Sequence, residues 1–216
     1  MTPNPAFAVL ASLVMVAAAS AGAPAHQPSS AIDAHTALVI IDVQNFYFPG
    51  GQLPLVGPEA AAAKARTLLD FFRAHHLPVI HVQHLPSDQA KPTPDSGNEQ
   101  YRIRPEVMPR AGEEVIGKHY ANAFRDTPLL GYLHQHAITN LVICGMQTHM
   151  CVEATTRAAA DYGFHVTVVS DACATRSLSF GGVTVPAAEV HATALATMNG
   201  VYAKVVSTAD FLASTR

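Results

Sequence analysis

The sequence predicts a three-layer α/β/α domain built on a doubly wound, mainly parallel six-stranded sheet. Short apolar runs rich in Val and Ile recur along the chain, and stretches with helical periodicity separate most of them. Strands that alternate with helices form parallel sheets covered on both faces. No internal repeat and no inter-domain linker is visible after residue 37, which indicates a single domain.

The first half of this domain contains three predicted strands and one helix. Residues 37–41 are a β-branched apolar run with the length of a buried strand. A helix from 58 to about 76 opens with Pro at its first position and Glu in its first turn. Residues 78–84 and 114–117 are the second and third strands. Between them, residues 85–112 are rich in Pro, Gly, Asn and Asp, which predicts a long surface loop that shapes a binding pocket.

The second half continues the alternation with three helices and three strands. Their apolar residues either repeat at helical spacing or form short β-branched runs. The predicted helices are 128–136, 149–162 and 185–199, and the predicted strands are 141–145, 165–170 and 202–206.

Composition excludes several classes of function. The 216 residues carry a formal net charge of −3 at pH 7, and 49% of them are hydrophobic. A nucleic-acid-binding surface usually needs a basic face, which this balance does not supply. The apolar content argues against disorder, and the three cysteines are too few for a disulfide framework. We therefore expect a globular domain with no nucleic-acid partner.

The N-terminal segment is predicted to be an export signal. Residues 6–19 form an almost uninterrupted apolar run, and small residues follow as far as Ala25. Such a run before a small-residue cleavage site is typical of a secretory signal peptide, and it is too short to span a bilayer. No Lys or Arg precedes it, and an Ala-rich extension of a cytoplasmic enzyme is the alternative. We expect a signal peptide over 1–25, a linker over 26–36 and the domain over 37–216, with the mature protein periplasmic or secreted and not membrane-bound.

Three reactive side chains follow the ends of predicted strands. Asp42 follows the first strand, Lys118 the third, and Cys151 lies just beyond the fourth, at the start of a helix. Open α/β sheets bind ligands beyond the carboxyl ends of their strands, where the strand order reverses. A thiol at a helix N-terminus beside a cation has a lowered pKa and forms a thiolate. The placement predicts nucleophilic catalysis by a cysteine, with a carboxylate that relays its proton.

Each of these residues also has an ordinary structural explanation. A lone cysteine is most often a small buried side chain. An aspartate at a strand end commonly caps a helix or forms a turn, and a lysine usually lies on the surface. Their joint placement at strand ends is what favours the catalytic interpretation.

Segments that contain these residues resemble the signature segments of the isochorismatase-like cysteine hydrolases. They are ALVIIDVQ (37–44), GKHYANAF (117–124) and GMQTHMCV (145–152), and VVSDA (168–172) also resembles the family pattern. The resemblance extends over about residues 35–213. It implies a doubly wound α/β fold, in agreement with the alternation of strands and helices.

The resemblance also implies a triad of Asp42, Lys118 and Cys151. In such hydrolases the thiolate attacks a carbonyl or related carbon, an acyl-enzyme forms, the aspartate protonates the leaving amine, and water releases the acid. The family carries a non-proline cis peptide in the strand-to-helix turn, which by position is Met146–Gln147. The backbone N–H groups of Gln147 and Cys151 would then form an oxyanion hole.

The predicted function is hydrolysis of a small amide or related C–N bond through a thioester-type acyl-enzyme. Isochorismatases proper cleave a vinyl ether without a nucleophilic cysteine, so Cys151 disfavours that alternative. A non-catalytic binding or assembly module of the same fold is the alternative from another class. Nicotinamidases of the family bind a metal through an Asp-x-His pattern, whereas His81 and His84 lack that Asp and should point to opposite faces of a strand as structural residues. We expect no metal and no other cofactor.

Residues around the motifs are predicted to line a pocket for a small-molecule substrate. These are Gln44, Phe46, Phe48, Tyr120, Phe124 and Thr148. Core packing is the alternative for the aromatic ones and for Tyr47. Cys144 and Cys173 are expected to be packing thiols, and Asp171 a turn or capping group. The resemblance implies a homo-oligomer.

Overall fold

Six parallel strands form the central sheet of the computed structural model, which describes residues 32–95 and 97–215. The strands of this sheet and of a separate hairpin are β1 (Thr36–Ile41), β2 (Val79–His84), β3 (Glu114–Lys118), β4 (Asn140–Met146), β5 (His165–Ala174), β6 (Leu178–Phe180), β7 (Val183–Val185) and β8 (Lys204–Val206). The spatial order of the sheet is β3-β2-β1-β4-β5-β8, and β6 pairs with β7 in the antiparallel hairpin. The predicted six-stranded parallel sheet is confirmed.

Helices cover both faces of this sheet. In the described residues they are α1 (Pro58–Ala74), α2 (Leu129–Gln135), α3 (Glu153–Asp161), α4 (Ala187–Met198) and α5 (Thr208–Ala213). α1 packs against α5, and α3 packs against α4. The strand order runs one way from β1 to β3 and the other way from β4 to β8, so right-handed crossovers place their helices on opposite faces. The fold is the doubly wound, three-layer architecture that the sequence predicts.

The central strands are buried because both helical layers cover them. Residues 37–41 of β1 are at most 2% exposed, and residues 141–146 of β4 are buried as well. Parallel strands covered on both faces have continuous apolar sequences rather than alternating ones, which explains the Val- and Ile-rich runs. From α1, the predicted apolar face of Leu68, Leu69 and Phe72 is fully buried. Each such side chain contributes about 1.5–3 kcal/mol by leaving water.

The strand order reverses between β1 and β4, which are neighbours at the centre of the sheet. They pair along their whole length, residues 36–41 against residues 140–145. The segments that follow them therefore leave the sheet side by side, at the place where open α/β sheets bind ligands. β2 and β3 extend the same edge, with His84 level with Lys118.

The predicted helix over 149–162 differs from the structure at its start. Thr148–Val152 form one turn of π-helix, in which the N–H of Val152 donates to the C=O of Gln147 (3.2 Å), and α3 begins only at Glu153. Apolar periodicity over so few residues does not distinguish a π-turn from an α-helix. π-Turns are rare and are often found at functional sites.

The region after residue 170 also differs from the prediction. A bulge between β4 and β5 lets their pairing resume at Gly145 opposite Cys173, so β5 continues to Ala174. The hairpin of β6 and β7 turns at Gly181 and Gly182, and it includes Val185, which was predicted to start a helix. Strands of three residues are too short to show an alternating pattern, and α5 is a short helix that the sequence analysis missed.

The prediction of a surface loop over 85–112 is wrong in part. The segment contains two single turns of 3₁₀-helix, Glu99–Tyr101 and Pro105–Val107, and Leu85, Ile103 and Val107 are buried. Its Pro, Gly, Asn and Asp content indicates turns but not exposure. The segment packs along the edge of the sheet beside β2 and β3.

The predicted signal peptide and the linker as far as residue 31 lie outside the described residues. Within the described part of the chain, no helix is both long enough and apolar enough to cross a bilayer. Export and cleavage of the segment stay predictions.

Candidate active site

The three residues predicted for catalysis converge at the carboxyl end of the sheet. Asp42 directly follows β1, Lys118 is the last residue of β3, and Cys151 lies in the π-turn after β4. The Nζ of Lys118 is 2.7 Å from Oδ2 of Asp42 and 3.4 Å from Sγ of Cys151. The side chains of Asp42 and Lys118 are fully buried, and Cys151 is only 5% exposed. Carboxylate, ammonium and thiol therefore form one contiguous group away from bulk water.

Lys118 and Asp42 form a buried ion pair. Burial alone would lower the pKa of Lys118, but the negative charges of Asp42 and Cys151 outweigh it and raise that pKa, so the ammonium is charged at neutral pH. Oδ2 of Asp42 lies at ion-pair distance, yet neither oxygen of this carboxylate accepts a well-aligned hydrogen bond from the described residues. The carboxylate thus keeps the capacity to accept a proton.

The cysteine of this group is protonated at rest. Burial raises the pKa of the Cys151 thiol to about 12, the negative charge of Asp42 adds to the rise, and Lys118 opposes it. The expectation of a thiolate at neutral pH is wrong, because the cation beside the sulfur is outweighed by burial and by the carboxylate. A nucleophilic attack by this sulfur needs a base that takes the thiol proton as the attack proceeds.

Two unusual backbone positions bring the ends of β1 and β4 together. Asp42 has a φ of 50°, which Asp tolerates better than most residues, and its N–H donates to the C=O of Val82 (2.9 Å). Gly145 has a φ of 126°, and a Cβ there would overlap the carbonyl oxygen of Ile41. Glycine is therefore what allows β4 to lie so close to the last residue of β1.

The turn after β4 contains the residues predicted for the oxyanion hole. The Met146–Gln147 peptide bond is cis, as the resemblance implies, and it joins β4 to the π-turn that carries Cys151. The Nε2 of Gln147 donates to the hydroxyl of Tyr47 (3.2 Å). Burial raises the pKa of Tyr47, and the charges of Asp42 and Cys151 add to the rise. An uncharged phenol therefore lies beside the thiol.

Three of the predicted pocket residues lie near this group. The ring of Phe46 is 6.4 Å from that of His84, and the C=O of Tyr120 accepts a hydrogen bond from the buried lysine (3.0 Å) while its side chain is partly exposed. Thr148 begins the π-turn, and its hydroxyl contacts Nδ1 of His191 in α4 (2.9 Å). These three remain candidates for the pocket wall.

Gln44 and Phe48 hold structure instead. Gln44 donates through Nε2 to the C=O groups of His84 (2.9 Å) and Tyr101 (2.6 Å), and its Oε1 accepts from the N–H of His84 (2.8 Å). The guanidinium of Arg104 stacks 4.3 Å above the ring of Phe48. Because these contacts occupy the amide of Gln44 and the face of Phe48, we leave both out of the proposed pocket.

Phe124 also lies outside the pocket. Its ring packs 5.2 Å from that of Tyr162 and 6.1 Å from that of Phe164. Both partners follow the carboxyl end of α3, whereas Cys151 precedes its amino end. The sequence motif that contains Phe124 therefore leads away from the thiol.

β2 directs its two histidines to opposite faces, as predicted. The Nε2 of His81 donates to Oε2 of Glu113 (2.9 Å), while Nδ1 of His84 lies 3.5 Å from Nζ of Lys118. His81 is thus a structural residue, but His84 belongs to the site, and the structural role predicted for it is incomplete. Its position as the last residue of β2, level with the end of β3, is the signal that would have found it.

Sequence analysis also missed polar groups at the end of β5. The Nδ1 of His149 contacts the hydroxyl of Thr175 (2.5 Å), while its Nε2 and the Nε of Arg176 are buried without a hydrogen-bond partner among the described residues. Burial lowers the pKa of His149, and the charge of Arg176 lowers it further. The same guanidinium opposes the rise in the pKa of Tyr47. Arg176 therefore brings positive charge close to the thiol.

The remaining cysteines and Asp171 have the roles predicted for them. Cys144 and Cys173 are buried, and burial raises the pKa of both thiols. Oδ1 of Asp171 accepts from the N–H and the hydroxyl of Thr208, both at 2.7 Å, at the start of α5. Asp171 thus caps a helix.

Two other searches of the molecule bear on the site. Residues 32–95 and 97–215 contain no cluster of three or more His, Cys, Asp or Glu side chains arranged to hold a metal. A cleft of about 700 Å³ opens at the opposite edge of the sheet, beside the amino ends of its strands, where Thr36, Asn140 and His165 line it. No residue of the carboxylate, ammonium and thiol group lines that cleft, so we do not assign the chemistry to it.

Comparison with known proteins identifies the family. The family model described as the Isochorismatase domain matches residues 36–210. The chain belongs to the isochorismatase family. An uncharacterised isochorismatase family protein of Bacillus subtilis is 44% identical over 177 residues, which cover 82% of this chain and 98% of that protein. A crystal structure assigned as an isochorismatase hydrolase from Oleispira antarctica has a TM-score of 0.78 at 46% identity and covers 84% of this chain and 98% of its own.

Other isochorismatase-family relatives have names that state an activity or a location. A secreted isochorismatase effector of Verticillium dahliae is 33% identical over 183 residues, covering 85% of this chain and 93% of that protein. The relatives also include a maleamate amidohydrolase of Pseudomonas putida, 32% identical over 149 residues, and a ureidoacrylate amidohydrolase of Azorhizobium caulinodans. This chain is an isochorismatase-family hydrolase, and its relatives include amidohydrolases.

Proposed function

We propose that this chain hydrolyses the C–N bond of a small amide or related compound, with Cys151 as the nucleophile. The observation that carries the proposal is the contact of the Lys118 ammonium with both the carboxylate of Asp42 and the sulfur of Cys151, at the carboxyl end of the sheet. The amidohydrolases among the relatives support a C–N bond as the target.

In the first half of the reaction, Sγ of Cys151 attacks the carbonyl carbon and the thiol proton moves to Asp42. Negative charge then develops on the carbonyl oxygen, which the N–H groups of Gln147 and Cys151 bind. The ammonium of Lys118 keeps its protons throughout, because its pKa is raised, and it fixes the carboxylate and the sulfur relative to each other. The C–N bond breaks as Asp42 passes its proton to the leaving nitrogen.

In the second half, water attacks the thioester carbon and gives a proton to Asp42. The C–S bond then breaks, and Asp42 returns the proton to the sulfur. One amide and one water have become one carboxylic acid and one amine or ammonia. The thiol and the carboxylate are restored for the next cycle.

We further infer that the substrate carries a carboxylate that Arg176 binds. The Nε of Arg176 is buried without a partner among the described residues, and a buried guanidinium without an anion is costly. Arginine binds carboxylates with two parallel hydrogen bonds, which gives both affinity and orientation. The names of two relatives, the maleamate and ureidoacrylate amidohydrolases, state substrates of this kind.

Replacement of Cys151 by alanine tests the nucleophile. In a screen of ammonia release from small amides, ureido acids and lactams, the Cys151→Ala variant should lose at least about 10⁴-fold in kcat, because no acyl-enzyme can form. Cys173→Ala, which removes a buried packing thiol, is the control and should keep its activity within about threefold. Melting temperatures of both variants show that the fold persists. Full activity in Cys151→Ala would refute the mechanism.

Acid-quenched reaction mixtures separate the hydrolase from a non-catalytic binding module. During turnover, the peptide that contains Cys151 should carry the mass of the acyl group, and peptides with Cys144 or Cys173 should not. A protein that binds amides but never carries the acyl mass would be a binding module of the same fold.

Replacement of Arg176 by glutamine tests the substrate class. For maleamate, which carries a carboxylate, Arg176→Gln should lower kcat/KM by about 10²-fold, because one charge-assisted contact is removed. For an uncharged amide of the same length, the change should stay within about threefold. Arg66→Gln, at an exposed arginine of α1, is the matched control. Equal losses on the charged and the uncharged amide would show that Arg176 does not bind the carboxylate.

A further inference from the structure

The buried lysine has more hydrogen-bond acceptors than it has hydrogens. Four acceptors lie within 3.5 Å of the Nζ of Lys118, namely Oδ2 of Asp42 (2.7 Å), the C=O of Tyr120 (3.0 Å), Sγ of Cys151 (3.4 Å) and Nδ1 of His84 (3.5 Å). An ammonium carries three hydrogens. The carboxylate and the carbonyl are the nearer acceptors, so the sulfur and the imidazole compete for the third hydrogen.

The imidazole of His84 is held in place independently of the lysine. Both backbone polar groups of His84 are bonded to the side chain of Gln44, at 2.9 and 2.8 Å. Its ring lies nearly parallel to that of Tyr101 and faces that of Phe46 edge-on, both at 6.4 Å. The position of Nδ1 is therefore fixed by β2 and its neighbours, and the lysine is the partner that turns.

His84 is neutral under the conditions in which this competition matters. Burial lowers its pKa, the charges of Lys118 and His119 lower it further, and Asp42 opposes them. The other two groups against the ring, the side chains of Phe46 and Tyr101, are uncharged at neutral pH. A neutral imidazole with its proton on Nε2 accepts at Nδ1.

We propose that His84 is a positioning residue that holds the third hydrogen of Lys118 while Cys151 is a thiol and releases it to the sulfur as negative charge develops there. The ammonium turns between the two acceptors, and no covalent bond changes. The thiol therefore stays protonated at rest, and the hydrogen bond to sulfur forms only during attack. The benefit to catalysis rests on the proposed function, but the competition itself is a property of the free protein.

Alkylation of Cys151 by iodoacetamide measures this competition without a substrate. Leucine and asparagine have nearly the same shape, so His84→Leu and His84→Asn open similar space and differ in whether an acceptor remains. At pH 8 the Leu variant should be alkylated at least fivefold faster than the Asn variant, because its thiolate keeps the third hydrogen at all times. Between pH 7 and 9 both rates should rise tenfold per pH unit, with the two lines displaced from each other.

Equal rates in the two variants would overturn the proposal and assign His84 a packing role. Mass spectrometry localises the label to Cys151 rather than Cys144 or Cys173. If either variant fails to fold, nitrogen-15 NMR of the wild-type histidines decides the matter, since a proton on Nδ1 of His84 at pH 8 would prevent it from accepting. Loss or survival of hydrolysis in Cys151→Ala is a separate result, so failure of the proposed function and failure of this inference are distinguishable.

Discussion

Gly145 shows how one residue sets the geometry of the candidate site. It lies opposite Ile41, the residue before Asp42, and its backbone has a φ of 126°. A Cβ at this position would overlap the carbonyl oxygen of Ile41 and lie 2.7 Å from its nitrogen. The contact is with backbone, which cannot turn aside as the end of a flexible side chain does. The spacing between the segments that carry Asp42 and Cys151 therefore depends on a missing side chain.

Replacement of Gly145 by alanine should destabilise the protein by at least about 3 kcal/mol, because it adds backbone strain and a clash with backbone. Gly131 in α2 is the matched control, since a Cβ there would meet nothing within 4 Å and its φ is ordinary for a helix. Gly131→Ala should stabilise the protein by about 0.5–1 kcal/mol. Urea unfolding of both variants measures the difference. Similar stabilities would show that β4 and β1 move apart at little cost.

At the scale of single residues, the sequence predicts those that directly follow a well-marked strand. Asp42 and Lys118 lie at the ends of apolar β-branched runs, and the structure brings both to the thiol. Arg176 could not be found in this way, because β5 extends past its predicted end through a bulge that has no sequence signal. The electrostatics of Cys151 were also beyond prediction, since they depend on how deeply the group is buried.

At the scale of elements, one ionic network connects α1 to the edge of the sheet. Glu113, just before β3, accepts from Nε and Nη2 of Arg73 in α1 at 2.7 and 2.8 Å, and from Nε2 of His81 in β2 at 2.9 Å. The N–H of Arg110 adds a fourth bond to the same carboxylate (2.8 Å). Burial alone would raise the pKa of Glu113, but these bonds outweigh it and hold that pKa well below the ordinary value.

Glu113→Gln should lower the free energy of unfolding at pH 7 by about 2–3 kcal/mol, because Arg73 and His81 lose a charged partner. The pKa of Glu113 is lower in the folded than in the unfolded chain, so its contribution is complete above the ordinary value of 4.5 and is lost as the pH falls below it. Urea unfolding at several pH values should show the gap to wild type closing in acid.

Asp70→Asn removes an ion pair of the same helix, since Asp70 pairs with Arg66 at 2.7 Å on the exposed side of α1. Exposed pairs of this kind contribute less than about 1 kcal/mol. A loss from Asp70→Asn as large as that from Glu113→Gln would contradict the assigned importance of burial. So would a gap for Glu113→Gln that does not change with pH.

Elements were predictable where tertiary packing reinforces the local pattern. The strands β1 and β4 and the apolar face of α1 are buried, so their composition follows from their position. The hairpin of β6 and β7 is largely exposed, with Phe180 at its tip 93% accessible, and its short strands follow no burial pattern. The π-turn is defined by backbone hydrogen bonds that side-chain periodicity does not report.

Across the whole molecule, alternation of strands and helices was enough to predict the doubly wound fold. The strand order followed from the family resemblance and from the rule that parallel connections are right-handed. Export and assembly into a homo-oligomer stay predictions, because the first depends on residues outside the described part and the second on a partner chain.

The π-turn and the strand ends belong to the rigid sheet, whereas Tyr101 and Arg176 reach the site on segments that lie outside it. Bond-breaking groups and selectivity groups are thus encoded in separate stretches of the chain. Relatives of this family can therefore diverge in substrate by changing the stretches 85–112 and 175–186 while the strand ends stay the same. The same division offers a route for redesign, in which those two stretches are exchanged as units and the buried carboxylate, ammonium and thiol are left untouched.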